Sequence, residues 1–180
     1  ARPHAAQLAI LSDAAPALES IAGRLVKRGH GSGANRAAAA RADGEPDALR
    51  VMLAKVLAVI RASLPAETLV ASDMTQIAYA ANVVFPMASP KRWVHPTGFG
   101  TLGFGLPAGI GAKFGLGATP VAVLTGDYGF QYTANELGTA AEHRLPLVIL
   151  LWNNDALGQI RDDMVSKAIQ PNAVTLVNPD

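Results

Sequence analysis

The sequence predicts an α/β fold: a parallel sheet with helices on both faces, truncated at its C-terminal end. Three observations lead there. From Pro46 onward, segments with helical spacing alternate with short apolar runs. Those runs are apolar at consecutive positions, as strands covered on two sides are. Half of the 180 residues are hydrophobic and only 16% are charged, which is enough apolar surface for a sizeable core.

Element by element, Leu8–Ser12 reads as a short strand, and Ser12 and Asp13 are placed to cap a helix over about 15–27 with Leu18, Ile21, Ala22 and Leu25 on one face. Residues 1–28 are too few for a core and read as the tail of a preceding domain. Residues 29–44 shift to Gly, Ser, Asn, Arg and the alanine run Ala37–Ala40, which predicts a linker. Residues 45–180 form the main domain. Pro46 opens a helix to about Ser63, with Leu49, Met52, Leu53, Val56, Leu57 and Ile60 at helical spacing. Thr68–Ser72 is a strand. Asp73 with Gln76 resembles a capping box for a helix to about Val84. The Gly-rich stretch Gly98–Gly105 leads into a helix over about 106–114. Pro120–Thr125 is a strand, and Thr133 with Glu136 is a second capping signature before a helix to His143. Pro146–Leu151 is a strand, a helix starts near Ala156, and Ala173–Val177 is one more candidate strand before the chain ends. No following helix covers it, so truncation at both ends is expected.

Composition excludes several classes. Fifteen basic against 14 acidic residues give a net charge of +1, with no basic run longer than Lys27-Arg28. That offers nothing to nucleic acid or to an anionic membrane. The absence of cysteine removes disulfides, thiolate zinc sites and thiol nucleophiles. The longest apolar run, Leu147–Trp152, falls far short of the ~20 residues of a membrane helix. The chain starts at Ala1 and shows no signal-peptide pattern, so a processed or partial, soluble cytoplasmic chain is expected.

In a parallel sheet, ligands bind beyond the carboxyl ends of the strands, here the loops after Ser72, Thr125 and Trp152. Gly126-Asp127 and Asn153-Asn154 occupy two of them. Asp127 and Asn154 lie 27 residues apart, a spacing that suits one strand–helix–strand unit placing both side chains at one edge. A carboxylate and an amide oxygen are hard ligands, suited to Mg²⁺ or Ca²⁺ and poor for zinc. Six-coordinate Mg²⁺ needs more, and phosphate oxygens, water and the Ala156 carbonyl are candidates. Helix N-termini near Asp73 and Thr133 favour an anion at the same edge. The site reads as diphosphate plus Mg²⁺. The bland alternative is that Asp127 caps a helix and the Asn pair makes a turn.

Gly126-Asp127-Tyr128-Gly129-Phe130, continuing through Glu136-Leu137 and Leu145-Pro146 to Trp152-Asn153-Asn154-Asp155-Ala156-Leu157-Gly158, resembles the diphosphate-binding signature of thiamine-diphosphate enzymes. The upstream stretch Gly98–Ala112 resembles that of the acetolactate synthase and 2-oxoacid decarboxylase group. The resemblance covers about Pro46 to the C-terminus well, and residues 1–28 more weakly as the end of that group's middle domain. It implies the thiamine-diphosphate-binding fold. It implies that Asp127 and Asn154 hold Mg²⁺ with the Ala156 carbonyl, and that backbone N–H groups of Tyr128 and Gly129, with Thr75 and Gln76, hold the diphosphate. The Gly100 carbonyl would accept from the 4′-amino group. Leu102 would be the apolar wedge that bends the cofactor, bringing that amine to the thiazolium C2 so that a 2-oxo acid can be attacked.

Two departures from the group stand out. Tyr128 replaces a small residue, where close approach or positive φ would disfavour a side chain. None of the five glutamates matches the one that, in this group, contacts the cofactor pyrimidine from another domain, usually a partner subunit's. The resemblance therefore implies a pyrimidine-binding domain from a second subunit, a homodimer or tetramer, and no turnover by this chain alone. Phe99, Leu102 and Phe104 would line the cleft between subunits. The segment Leu157–Met164 lies where the group lines its reaction pocket. Its acidic pair Asp162-Asp163 resembles decarboxylases of 5-guanidino-2-oxopentanoate, since carboxylates suit a guanidinium; a solvated helix face is the competing reading.

Other readings compete. Gly98-x-Gly100-x-x-Gly103 matches a dinucleotide fingerprint, with Asp127 as the ribose acid. However, Lys91–Pro96 before it is not a buried apolar strand, and Asn153-Asn154 stays unexplained. An acetolactate synthase joining two 2-oxo acids, or a non-catalytic homologous subunit, also fits the resemblance. His95 beside the Gly-rich stretch reads first as a loop residue and second as a group near the site.

Overall fold

The computed structural model describes residues 9–26 and 48–175. The chain divides into two compact units, Ala1–Asp43 and Gly44–Asp180. In the first, the described part is one helix, α1 (Ala14–Arg24), which buries none of its residues. Asp13 stands at its N-cap without a side-chain bond, while the Ser12 hydroxyl donates to the Asp13 carbonyl. Residues 9–12 are not a strand, contrary to the sequence reading: Ile10 and Leu11 are exposed and pair with no neighbouring strand. The expected linker, 29–44, lies outside the described residues.

The second unit runs α2 (Ala48–Ser63), β1 (Leu69–Ser72), α3 (Gln76–Val84), β2 (Trp93–Val94), α4 (Gly105–Leu116), β3 (Val121–Gly126), α5 (Asp127–Thr133), a 3₁₀ turn (Ala134–Glu136), α6 (Leu137–Glu142), β4 (Val148–Trp152) and α7 (Gly158–Ser166). The four strands are parallel, in the order β2-β1-β3-β4. This is the predicted class. From β1 the chain moves outward to β2, then returns to the other side of β1 to form β3. The junction of β1 and β3 is therefore the switch point, where ligand clefts of such sheets open.

Side chains alternate across the strands and build two cores. Val70, Ala122 and Leu124 face α2 and α3, meeting Leu53, Leu57, Ile77, Ala78 and Ala81. On the other face, Leu69, Ala71, Val121 and Val123 meet α4, with Leu106 and Ile110 at its centre. Near-continuous burial of β1 and β3 explains why their sequences are apolar at consecutive positions. β4 differs. It pairs only with β3 among the described residues, and Val148 and Leu151 are half-exposed, so its apolar run is not covered on both sides.

Local details refine the reading. A two-residue edge strand, β2, occupies Trp93–Val94 within Lys91–Pro96; it is only half-buried, consistent with that segment not being a buried apolar strand, and its partner is β1. Asp73 does not cap α3: the helix begins at Gln76 after Thr75, and the Asp73 carboxylate turns inward. Thr133 ends α5, which starts directly at the end of β3, and stands at the N-cap of the 3₁₀ turn that runs into α6, as expected; it makes no side-chain cap bond, and the Glu136 carboxylate accepts from Thr139 and Asn135 instead. At the C-terminal side, Thr175 makes a single antiparallel bridge to Ala156; residues 176–177 of the expected strand lie outside the described residues. No helix among the described residues is long and apolar enough to cross a membrane.

Candidate functional site

A cavity of about 140 Å³ opens at the carboxyl ends of β1, β3 and β4. Four segments line it: Met74–Gln76 with Tyr79, then Gly100 and Leu102, then Gly126–Gly129, and Asn154 with Ala156–Ile160. All nine residues singled out from the sequence, Thr75, Gln76, Gly100, Leu102, Asp127, Tyr128, Gly129, Asn154 and Ala156, therefore share one space.

Register brings them there. Gly126 pairs with Trp152, so the chain leaves β3 and β4 at the same height and delivers Asp127 and Asn154 to the same rim. Asn153 and Asn154 have different roles. The Asn153 Oδ1 accepts from the Asp155 N–H at 3.2 Å, closing a turn in which Asp155 takes φ 51°. Asn154 faces the cavity and donates from Nδ2 to Gln76 Oε1 at 2.9 Å, which leaves its Oδ1 as the free acceptor.

Asp127 is 7% exposed. Its Oδ1 accepts from the Tyr128 N–H at 2.9 Å and its Oδ2 from the Ala156 N–H at 3.3 Å. No basic side chain pairs with it among the described residues. A half-satisfied carboxylate, an amide oxygen and the Ala156 segment thus line one cavity, and the two side-chain oxygens are hard donors of the kind that Mg²⁺ takes. No group of three or more His, Cys, Asp or Glu side chains suited to a metal occurs among the described residues.

The Tyr128 substitution is accommodated by the helix. α5 begins at Asp127, and neither Tyr128 nor Gly129 has positive φ. The small residue is required one place later, because a Cβ at Gly129 would lie 2.8 Å from Asp73 Oδ2. The Tyr128 N–H, expected on the diphosphate, donates here to Asp127. Gly100 does use its freedom: φ is 77°, turning the loop so that this residue reaches the cavity wall.

The buried position of Asp73, read from the sequence only as a helix cap, was missed. It is fully buried and accepts from the N–H groups of Met74, Gly103 and Gly105. Its place just past β1, opposite a Gly-rich loop, was the signal available. Tyr79 was also missed; burial first, then the Asp73 and Asp163 carboxylates, push its phenol above the ordinary tyrosine range, so it faces the cavity neutral. Of the acidic pair, Asp162 accepts from Gln76 Nε2 at 3.2 Å and pairs with Arg161, while Asp163 accepts from Gln159 Nε2 at 3.1 Å. Asp162 also lines a second cavity of about 330 Å³ between α2, α3 and α7, which shares Gln76, Tyr79 and Gln159 with the first.

His95 lies outside the cavity lining. Its Nδ1 is 2.7 Å from the hydroxyl of buried Ser72, at the foot of the Gly-rich loop. Burial lowers the imidazole pKa, with the Asp73 charge opposing. A depressed folded-state value means that the unfolded chain binds the proton first as pH falls below about 6.5. The folded state is then expected to lose stability from about pH 7 towards about pH 5. Thermal melting across that range, in wild type and H95Q, checks this; an identical pH slope in H95Q refutes the assignment.

Fold and cleft together define a doubly wound α/β domain with its site at the switch point. The sequence model for "Thiamine pyrophosphate enzyme, C-terminal TPP binding domain" matches residues 73–177, more than half of the chain. The chain belongs to this family. It is 49% identical over 178 residues to a probable 2-ketoarginine decarboxylase of Pseudomonas aeruginosa, a match covering 96% of this chain and 32% of that protein. It is 39% identical over 98 residues to the acetolactate synthase isozyme 3 large subunit of Escherichia coli, covering 53% of this chain and 17% of that one. Among solved structures, it resembles the thiamine diphosphate-dependent 4-hydroxybenzoylformate decarboxylase of Rhodococcus jostii RHA1 with a TM-score of 0.65 and 26% identity, over 71% of this chain and 24% of that one. The chain thus spans about a third or less of the relatives it matches. The dinucleotide reading of Gly98–Gly103 is set aside by the family match.

Proposed function

We propose that this chain forms the diphosphate- and metal-binding half of a thiamine-diphosphate site in an enzyme that decarboxylates a 2-oxo acid, with 5-guanidino-2-oxopentanoate (2-ketoarginine) as the substrate. One observation carries the cofactor reading: Asp127 and Asn154 line one cavity at the switch point, together with Gly100 and Leu102. In this reading Mg²⁺ is held by the Asp127 carboxylate, Asn154 Oδ1 and the Ala156 carbonyl. The diphosphate lies against Thr75, Gln76 and the Gly129 N–H, while the Tyr128 N–H braces Asp127. The Gly100 carbonyl accepts from the aminopyrimidine, and Leu102 supplies the apolar support under the cofactor. Bound thiamine diphosphate would provide the electron sink that lets carbon dioxide leave. This chain's residues bind and orient.

Calorimetry tests the reading. Thiamine diphosphate is expected to bind in the presence of Mg²⁺, to bind much more weakly after chelation, and to be unaffected by NAD. Mg²⁺-independent binding, or none, overturns it.

The guanidino substrate is supported by the activity for which the 49% identical relative is named and by Asp162 beside the shared wall of the two cavities. Turnover by the intact protein is expected to favour the guanidino acid over pyruvate; equal or pyruvate-favouring rates defeat that part alone. The acetolactate synthase relatives support carboligation as the second reading, which product analysis separates. A second subunit's pyrimidine-binding domain, in a homodimer or tetramer, is part of the proposal. Phe99, 95% exposed beside the cavity loop, supports it, while Leu102 and Phe104 are only half-exposed.

A further inference from the structure

Asp73 accepts more hydrogen bonds than a turn or a helix cap requires. Its Oδ1 is 2.7 Å from the Met74 N–H, and its Oδ2 lies 3.0 and 3.1 Å from the N–H groups of Gly103 and Gly105. The Thr125 hydroxyl approaches Oδ2 at 3.5 Å. The carboxylate is fully buried and has no basic partner among the described residues. Backbone N–H dipoles therefore stabilise the charge where a counter-ion would otherwise be needed. On its remaining side it packs against Gly129, where even a methyl group would come within 2.8 Å.

One side chain thus touches the end of β1, the loop carrying Gly100 and Leu102, the end of β3, and the first turn of α5 that starts at Asp127. The loop, through Gly100 and Leu102, and the α5 turn, through Asp127–Gly129, both line the cavity. We propose that Asp73 is a positioning residue that sets the spacing between the Gly-rich loop and the α5 turn, so that a ligand with a phosphorylated tail and an aromatic head is gripped at both ends. Asp73 does not line the cavity and acts only through the loop and the helix. The inference rests on the cofactor reading above and adds a residue to it.

The test uses the intact protein and D73N. The amide substitution keeps the volume but turns an NH₂ group towards the N–H groups of Gly103 and Gly105, or leaves Met74 without its acceptor. Two ligands are compared by calorimetry with Mg²⁺ present: inorganic pyrophosphate, which needs the diphosphate and metal contacts but not the Gly-rich loop, and thiamine diphosphate, which needs both. The expected result is a loss of about ten-fold or more in thiamine diphosphate affinity, with pyrophosphate affinity changed by less than about two-fold. Parallel losses for both ligands, or no loss, overturn the proposal. Wild-type protein that binds neither ligand sinks the cofactor reading itself. Hydrogen–deuterium exchange of the peptide over 98–105, without ligand, reads the clamp separately: protection in wild type is expected to fall about ten-fold or more in D73N. If D73N does not fold, the wild-type exchange decides, and a 98–105 peptide that exchanges as fast as an unstructured peptide of the same sequence overturns the proposal.

Discussion

Replacing Asp127 by alanine is expected to abolish measurable Mg²⁺-dependent binding of thiamine diphosphate, with an affinity loss of at least about 100-fold. The side chain is the sole carboxylate in the cavity lining and is nearly buried. Removing it deletes the one carboxylate lining the cavity, the proposed charged ligand of the cation, and leaves the Tyr128 and Ala156 N–H groups without their acceptor. Each charge-assisted bond is worth about 1.5–3 kcal/mol and every 1.4 kcal/mol is about ten-fold, so a hundred-fold is the lower end. The folded state should survive, because the side chain lies at the sheet's edge and outside both cores. Calorimetry on protein with an unchanged circular dichroism spectrum checks this. Retained affinity would remove Asp127 from the site, and the proposed function with it.

The largest stability effect is expected at Leu106. It is completely buried at the start of α4, packed with Ile110, Val123 and Ala140. Leu106→Ala forfeits the transfer energy of the deleted atoms and leaves a cavity that β3, fixed by pairing on both edges, cannot collapse into. The cost should be about 2–5 kcal/mol. For a chain of this size that lowers the melting temperature by roughly 2–4 °C per kcal/mol. Urea unfolding should show the midpoint falling with the slope unchanged. A loss below about 1 kcal/mol would mean that α4 packs on the sheet less tightly than its burial indicates.

The sequence was most informative where runs of apolar residues mark the strands. β1 and β3, buried throughout, and β4, partly exposed, all lie within two residues of where the sequence places them. α3 and α4 likewise fall near their expected bounds, and every expected site residue lines one cavity. Legibility failed where polar residues answer to tertiary partners. Asp73 has the local pattern of a cap, but a buried carboxylate is held by whichever donors the fold brings to it, and those sit some thirty residues downstream. α5 was invisible because Gly126–Gly129 reads as a loop, while its helical start is imposed by its position at the end of β3. β2 has two residues, too short for any period, and exists because β1 offers an edge. The apolar residues of α1 are legible as a stripe, yet none is buried among the described residues.

The pairing of Gly126 with Trp152 divides the chain into stretches that can change length and stretches that cannot. Insertions in the exposed turn around 143–146, between α6 and β4, leave the two strand ends level and should be tolerated as the gene drifts. Deleting a single residue inside β3 or β4 would invert which side chains point to which core and displace Asp127 from Asn154 by one rung of the ladder. Length variation in this domain is therefore expected to gather at the end of the sheet away from the cleft.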